Sequence, residues 1–210
     1  MSTYQLNINI NAADLSAVYA AKESIVLIKS VKGEEPYAWV SFLPFEGNAV
    51  TWSDEYSIYA TSQADSSGVV ITSFTEQAAL PAQNYNFSND GTFSQPNAVP
   101  IGANSYQITN QNTSVPNLSF GLLQAANVNG TVISSNPINA QFVPQNQFAI
   151  FKPTNQVTIF LASNISAGMF VDADTESGVL SQFTTITFEN GVNEITVTYD
   201  NTKGGFVQNS

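Results

Sequence analysis

Apolar and polar residues alternate along much of this 210-residue chain. The segment YQLNINI, residues 4–10, places Leu6, Ile8 and Ile10 on one side of an extended strand, and the same period returns in residues 182–189, QFTTITFE. A strand with one buried face has this pattern, because successive side chains point to opposite sides of a sheet. The pattern predicts a chain built mainly of strands, each with one face toward water.

Residues 11–22, NAADLSAVYAAK, break the alternation. Leu15, Val18 and Tyr19 recur at the spacing of a helix, and Asn11 is a favourable residue for a helix N-cap. We therefore expect one short helix near the N-terminus, packed on a sheet.

Turn-forming residues separate the other apolar runs at fairly even intervals. The pairs Asn129-Gly130 and Asn190-Gly191 are typical of tight hairpin turns, and the second stands between two alternating runs in residues 182–199. The apolar run GVVITSF, residues 68–74, is a further expected strand. Short strands divided by Gly, Asn and Pro predict an all-β antiparallel sandwich.

Several short motifs recur in the same order in the two halves of the chain. YQLN at residue 4 returns as YQIT at residue 106, and five such matches are each separated by about 100 residues. The matches predict an internal duplication with halves 1–102 and 103–210. Because no Pro/Gly/Ser-rich linker divides the halves, we expect one compact unit over residues 1–210, with a pseudo-two-fold axis.

Missing residue types exclude several kinds of chemistry. The chain has no Cys, no His and no Arg, and its net charge is −11. Disulfides, the usual zinc sites and His-dependent catalytic triads are excluded, and nothing neutralises a nucleic-acid backbone. We expect no nucleic-acid partner and no cofactor, with the calcium alternative below left open.

The N-terminus MSTYQLNINI lacks the basic and apolar regions of a classical signal peptide. We therefore expect a cytoplasmic protein, with release by a non-classical route as the alternative.

One short stretch, VTWSDEYSIYATS at residues 50–62, gathers aromatic rings around carboxylates. Sugars bind to such groups, because hydroxyls need planar polar partners and C–H faces pack on rings. Trp52, Asp54, Glu55 and Tyr56 are the candidate ligand-binding residues.

Comparison of the two halves separates Trp52 from the rest of this stretch. Matching Val50-Thr51 to Val157-Thr158 places Trp52 opposite Ile159, so core packing is the favoured role for Trp52. The second half has no counterpart of SDEYS, residues 53–57. Asp54, Glu55 and Tyr56 are then an addition that the fold does not require, and they become the first targets for mutation.

Three carboxylates alternate in VDADTESG, residues 171–178. Asp172, Asp174 and Glu176 have a spacing that can surround Ca²⁺, although the glycine comes one residue late for an EF-hand loop and Phe183 replaces its last ligand. A solvated turn is the favoured interpretation, and a calcium site is the alternative.

Four classes of function compete. In length and composition the chain resembles the signal-less, cysteine-poor, all-β defence lectins of fungi, which implies carbohydrate binding without catalysis. A membrane-active toxin is the first alternative, because amphipathic strands such as residues 182–199 can re-pair in a membrane. A self-assembling structural protein or homo-oligomer is the second, because weakly charged strands associate edge to edge. A hydrolase using two carboxyl groups is least favoured, since the sequence indicates no pair.

Overall fold

The computed structural model describes residues 2–63, 68–72, 74–172, 181–189 and 191–209. Within these residues the chain forms seventeen strands and one helix. In chain order they are β1 (Thr3–Asn9), α1 (Ala12–Ala20), β2 (Ser24–Val31), β3 (Ala38–Phe42), β4 (Gly47–Ser53), β5 (Tyr56–Thr61), β6 (Thr75–Ala79), β7 (Gln83–Phe87), β8 (Asn97–Ala98), β9 (Tyr106–Asn110), β10 (Ser119–Val128), β11 (Thr131–Pro137), β12 (Gln141–Phe142), β13 (Phe148–Phe151), β14 (Pro153–Ala162), β15 (Thr184–Thr187), β16 (Glu194–Asp200) and β17 (Gly205–Gln208).

The strands form three sheets. The largest has nine strands, with β17-β16-β1-β4-β10-β5-β6 as its main path and with β11 and β12 also paired to β10. We call the two four-stranded sheets the β9 sheet, in the order β13-β9-β7-β8, and the β14 sheet, in the order β15-β14-β2-β3. The predicted all-β, sandwich-like fold is confirmed. Most neighbours are antiparallel, but β1 with β16 and β7 with β9 are parallel pairs.

One large apolar core joins residues from all three sheets. It includes Leu6 and Ile8 of the nine-stranded sheet, Leu27 of the β14 sheet and Ile108 of the β9 sheet, and all four side chains are fully buried. Burial of each such side chain contributes about 1.5–3 kcal/mol. The alternation in β1 thus predicted its buried face correctly.

The predicted N-terminal helix is present as α1. The Asn11 side-chain oxygen accepts a hydrogen bond of 2.9 Å from the backbone N–H of Asp14, which confirms Asn11 as the N-cap. Val18 is buried, and Leu15 packs against the main core. No helix among the described residues is long and apolar enough to span a membrane.

The two hairpin predictions had different outcomes. Asn129 and Gly130 both have positive φ, 52° and 85°, and they connect the antiparallel pair β10–β11 as predicted. The hairpin predicted at Asn190-Gly191 is wrong, because β15 pairs with β14 while β16 pairs with β1 and β17. A turn signal specifies a local reversal of the chain, but the sheet that each strand joins depends on distant partners.

The strand predicted over residues 68–74 is also wrong in its position. In the described part of this segment only Val70 makes a bridge, to Met169, and the neighbouring strand β6 starts at Thr75. The sequence of β6, TEQAA, has few strand-favouring residues and lies largely exposed at a sheet edge. Pairing with β5 therefore forms this strand in spite of weak local preference.

The two strands that carry the repeated YQ motif differ in their antiparallel partners. β1 pairs with β4, whereas β9 pairs with β13. The internal duplication stays a prediction.

Candidate functional site

The segment SDEYS forms a bulge within what is otherwise one long strand. β4 and β5 both pair with the same edge of β10, with Thr51 opposite Asn127 and Ser57 opposite Leu123. Between these pairs, residues 52–56 lie opposite only three residues of β10. The β4–β5 side therefore contains two extra residues, which bend the strand and turn side chains outward.

Trp52, at the start of this bulge, is a core residue. Its side chain is 4% exposed and stacks on Tyr4, with ring centroids 5.7 Å apart. The rings of Trp39 and Phe188 contact it edge-on. The favoured core role of Trp52 agrees with this burial, and the ring has no face open to a ligand.

Asp54 and Glu55 are the exposed residues of the bulge. The Tyr4 hydroxyl donates a hydrogen bond of 3.1 Å to Asp54 Oδ2, and the Ser53 hydroxyl donates one of 3.0 Å to Glu55 Oε2. Burial, together with the charge of Asp54, raises the pKa of Tyr4. Both carboxylates already accept hydrogen bonds from hydroxyl groups.

Two buried tyrosines stand beside Asp54. The rings of Tyr56 and Tyr106 meet edge-on with centroids 5.6 Å apart. Burial raises the pKa of Tyr106 to about 12, and the charge of Asp54 adds to this effect. The pKa of Tyr56 is raised for the same two reasons. Both phenols are therefore neutral at physiological pH, and among the described residues the Tyr106 hydroxyl has no hydrogen-bond partner.

These residues line an open cavity of about 460 Å³. Its polar side is formed by the bulge, and its apolar side by the chain from Ala78 to Pro81, including the exposed Leu80. A smaller cavity of about 90 Å³ shares Asp54, Tyr56 and Tyr106 with it. We call the two cavities together the Asp54 groove.

The groove continues into a third cavity of about 620 Å³. Asn104, Pro153 and Asn155 line both the smaller cavity and this third one, so the depressions are contiguous. Lys152 and Glu189 line this third cavity but neither of the other two. An elongated ligand can therefore extend from the bulge toward β14.

A buried polar layer lies close to the bulge. Gln124 donates a hydrogen bond of 2.7 Å to the carbonyl oxygen of Ser53. Its own carbonyl Oε1 and the indole N–H of Trp52 have no partner in the described part of the chain. Lys29 is only 2% exposed, and its ammonium lies 4.9 Å from the centroid of the Trp52 ring and 5.8 Å from that of Trp39. Burial lowers the pKa of Lys29 to about 8, partly offset by the charge of Asp54.

The structure thus brings Asp54, Glu55 and Tyr56 together at one groove and adds residues that were not predicted. Tyr106 was missed because β9 is distant in sequence. Lys29 could have been found, since in ESIVLIKSV it occupies the inward position that Ile25 and Leu27 also occupy. A lysine at a core position of an alternating strand is a signal of a buried polar group.

The predicted calcium site lies mostly outside the described residues. Asp174 and Glu176 belong to the segment that the structure does not describe, while Asp172 is half-buried and has an interaction partner. Among the described residues, no group of three or more acidic side chains could hold a metal ion.

No protein-family model matches this chain, and comparisons with curated proteins and with solved structures gave no match. The groove is therefore interpreted from its own chemistry.

Proposed function

We propose that the Asp54 groove binds carbohydrate without catalysis. The observation that carries this proposal is the exposed Asp54 carboxylate in a groove that also has an apolar side wall and the Tyr106 hydroxyl, which has no hydrogen-bond partner among the described residues. A sugar needs this combination, because each ring has hydroxyls at its edge and C–H groups on its faces.

Each side of the groove has a role in this proposal. Asp54 accepts hydrogen bonds from sugar hydroxyls, as it already does from Tyr4. The neutral Tyr106 hydroxyl donates to a ring or hydroxyl oxygen, and Asn104 and Asn155 offer amides further along. Leu80 and Pro81 supply the apolar surface for the C–H face of the sugar.

Neutral sugars fit this groove better than anionic ones. Asp54 and Glu55 place two carboxylates on one short bulge, whereas Lys152 lines only the third cavity. An anionic sugar at the bulge would meet like charge.

A glycan array, followed by calorimetric titration of the best ligand, tests the proposal. We expect Asp54→Asn to weaken binding at least tenfold, because a carboxylate accepts hydrogen bonds more strongly than an amide does. Glu46→Gln, which neutralises another exposed carboxylate, is the matched control and should leave binding unchanged. Both variants should keep the wild-type melting temperature.

Two results would refute the proposal: an array on which no glycan is retained, or unchanged affinity in Asp54→Asn. Release of dye from neutral liposomes would instead support the membrane-active alternative. Hydrolysis of a bound glycan would support the enzymatic one.

A further inference from the structure

Strand β13 is an edge strand with an apolar outer face. In the part of the chain that the structure describes, it lies at the end of the β9 sheet and pairs only with β9. Ala149 and Phe151 point into the core, whereas Phe148 is 58% exposed and Ile150 is 41% exposed. The outer face of this strand thus consists of two large apolar side chains.

The outer edge of β13 also has backbone groups that pair with no other described strand. The backbone N–H of Asn110 donates to the carbonyl oxygen of Gln147, 2.9 Å away. In an antiparallel pair the bonded positions alternate, so Ala149 and Phe151 bond to β9 while the N–H and C=O of Phe148 and Ile150 point away from it. Another strand can therefore add to this edge.

Proteins usually protect such an edge with charged residues, proline or a bulge. β13 has none of these within its four residues. Among the described strands, only β13 exposes two large apolar side chains, and the edge strand β6 in contrast exposes Glu76. The sequence contains no Asp, Glu, Lys or Arg from Gly91 to Phe151. This uncharged run includes the whole of β13, so the edge strand has no charged residue to protect it.

We propose that β13 is a self-association surface, where a second copy of this chain adds its own β13 in antiparallel orientation. A two-fold axis beside Ala149 would pair Phe148 with the partner's Ile150, and Ile150 with the partner's Phe148. Each pair would exchange two backbone hydrogen bonds, and the two β9 sheets would become one continuous sheet.

Two molecules with a charge of −11 each repel one another, but the four strands of the β9 sheet contain no charged residue. The repulsion between two copies is therefore weak where β13 of one meets β13 of the other. An antiparallel strand pair is self-complementary about a two-fold axis, so one surface serves both copies.

Sedimentation of the purified full chain over a range of concentrations tests the proposal. We expect a concentration-dependent species of twice the 22.5 kDa chain mass. Added salt should strengthen it, because salt screens the repulsion between the two acidic molecules. Ile150→Lys should weaken dimerisation at least tenfold, whereas Val132→Lys, at another exposed apolar residue, should leave it unchanged.

A cysteine variant adds a test of geometry, since the natural chain has no cysteine. Ala149→Cys should form an intermolecular disulfide on mild oxidation much faster than Val132→Cys, because the proposed axis places Ala149 opposite its own copy. A monomer at every concentration would overturn the proposal. So would a dimer insensitive to Ile150→Lys, or equal crosslinking of the two cysteine variants.

Discussion

At the scale of single residues, Lys29 is the least expected group in this protein. It occupies a core position beside two indole rings, and no carboxylate of the described residues lies within salt-bridge distance of it. Burial of a charge without a close partner is costly, although cation–π contacts with the faces of Trp39 and Trp52 offset part of that cost. Lys29 is therefore expected to reduce stability at neutral pH.

Replacement of Lys29 by Met should stabilise the protein at pH 7. The lowering of the lysine pKa from 10.5 to about 8 corresponds to about 3 kcal/mol against the charged form. The cation–π contacts offset up to ~2 kcal/mol of this, so we expect a gain of about 1–3 kcal/mol in the free energy of unfolding, measured in urea. Lys32→Met, at an exposed position, should change it little. A Lys29→Met variant less stable than wild type would show that the cation is a net stabilising group.

The same residue predicts how stability depends on pH. Lys29 loses its proton near pH 8 in the folded state but near 10.5 in the unfolded chain, so the unfolded state binds more protons between these values. The free energy of unfolding should therefore rise from pH 8 toward 10, by at most ~1.4 kcal/mol per pH unit. Above pH 10 it should fall, because burial raises the pKa of Tyr106 to about 12 and the unfolded tyrosine ionises first. Urea titrations at several pH values would show the rise in wild type, and its presence in Lys29→Met would assign it to another group.

At the scale of elements, local pattern predicted strands well and their partners poorly. Alternation predicted the buried face of β1, and the pair Asn129-Gly130 predicted the β10–β11 turn. The pairing of β15 with β14 and of β16 with β1 was not predictable, because pairing depends on which distant apolar faces meet.

The candidate site was likewise predictable only in part. Asp54 and Tyr56 stand out as a local addition, whereas Tyr106 joins them only through the tertiary fold.

The bulge allows a direct test of the idea that the fold does not require this addition. Deletion of Asp54 and Glu55 removes two residues, so Trp52 and Tyr56 keep their inward positions and the pairing with β10 stays in register on both sides. We expect a loss of about 1–2 kcal/mol, corresponding to the two side-chain hydrogen bonds removed, together with loss of glycan binding. Thermal melting and the array would measure the two effects.

The control is deletion of Ser57 and Ile58, which also removes two residues but from the paired part of β5. Because Ile58 is fully buried and pairs with Leu122, this variant should unfold. If the two deletions were equally damaging, the bulge would be structural.

At the scale of the whole molecule, strands from the two halves of the sequence are interleaved within the largest sheet. β1 of the first half lies beside β16 of the second, and β4 and β5 both pair with β10 of the second half. The main core likewise contains residues from both halves, such as Ile8 and Val197. An isolated half would therefore have long unpaired edges and half of a core.

This arrangement leads us to expect that a fragment of residues 1–102 does not fold alone. Without β10 and β16, its strands β1, β4 and β5 would expose apolar faces that the complete chain buries. Circular dichroism of the fragment should show no cooperative melting, whereas the full chain should melt in one transition. The fragment 103–210 should behave in the same way, and a mixture of both fragments should regain structure if the halves complement each other. A soluble 1–102 fragment with a cooperative transition of its own would instead show that the first half is an independent domain, because its strands would then have found sufficient pairing and burial among themselves.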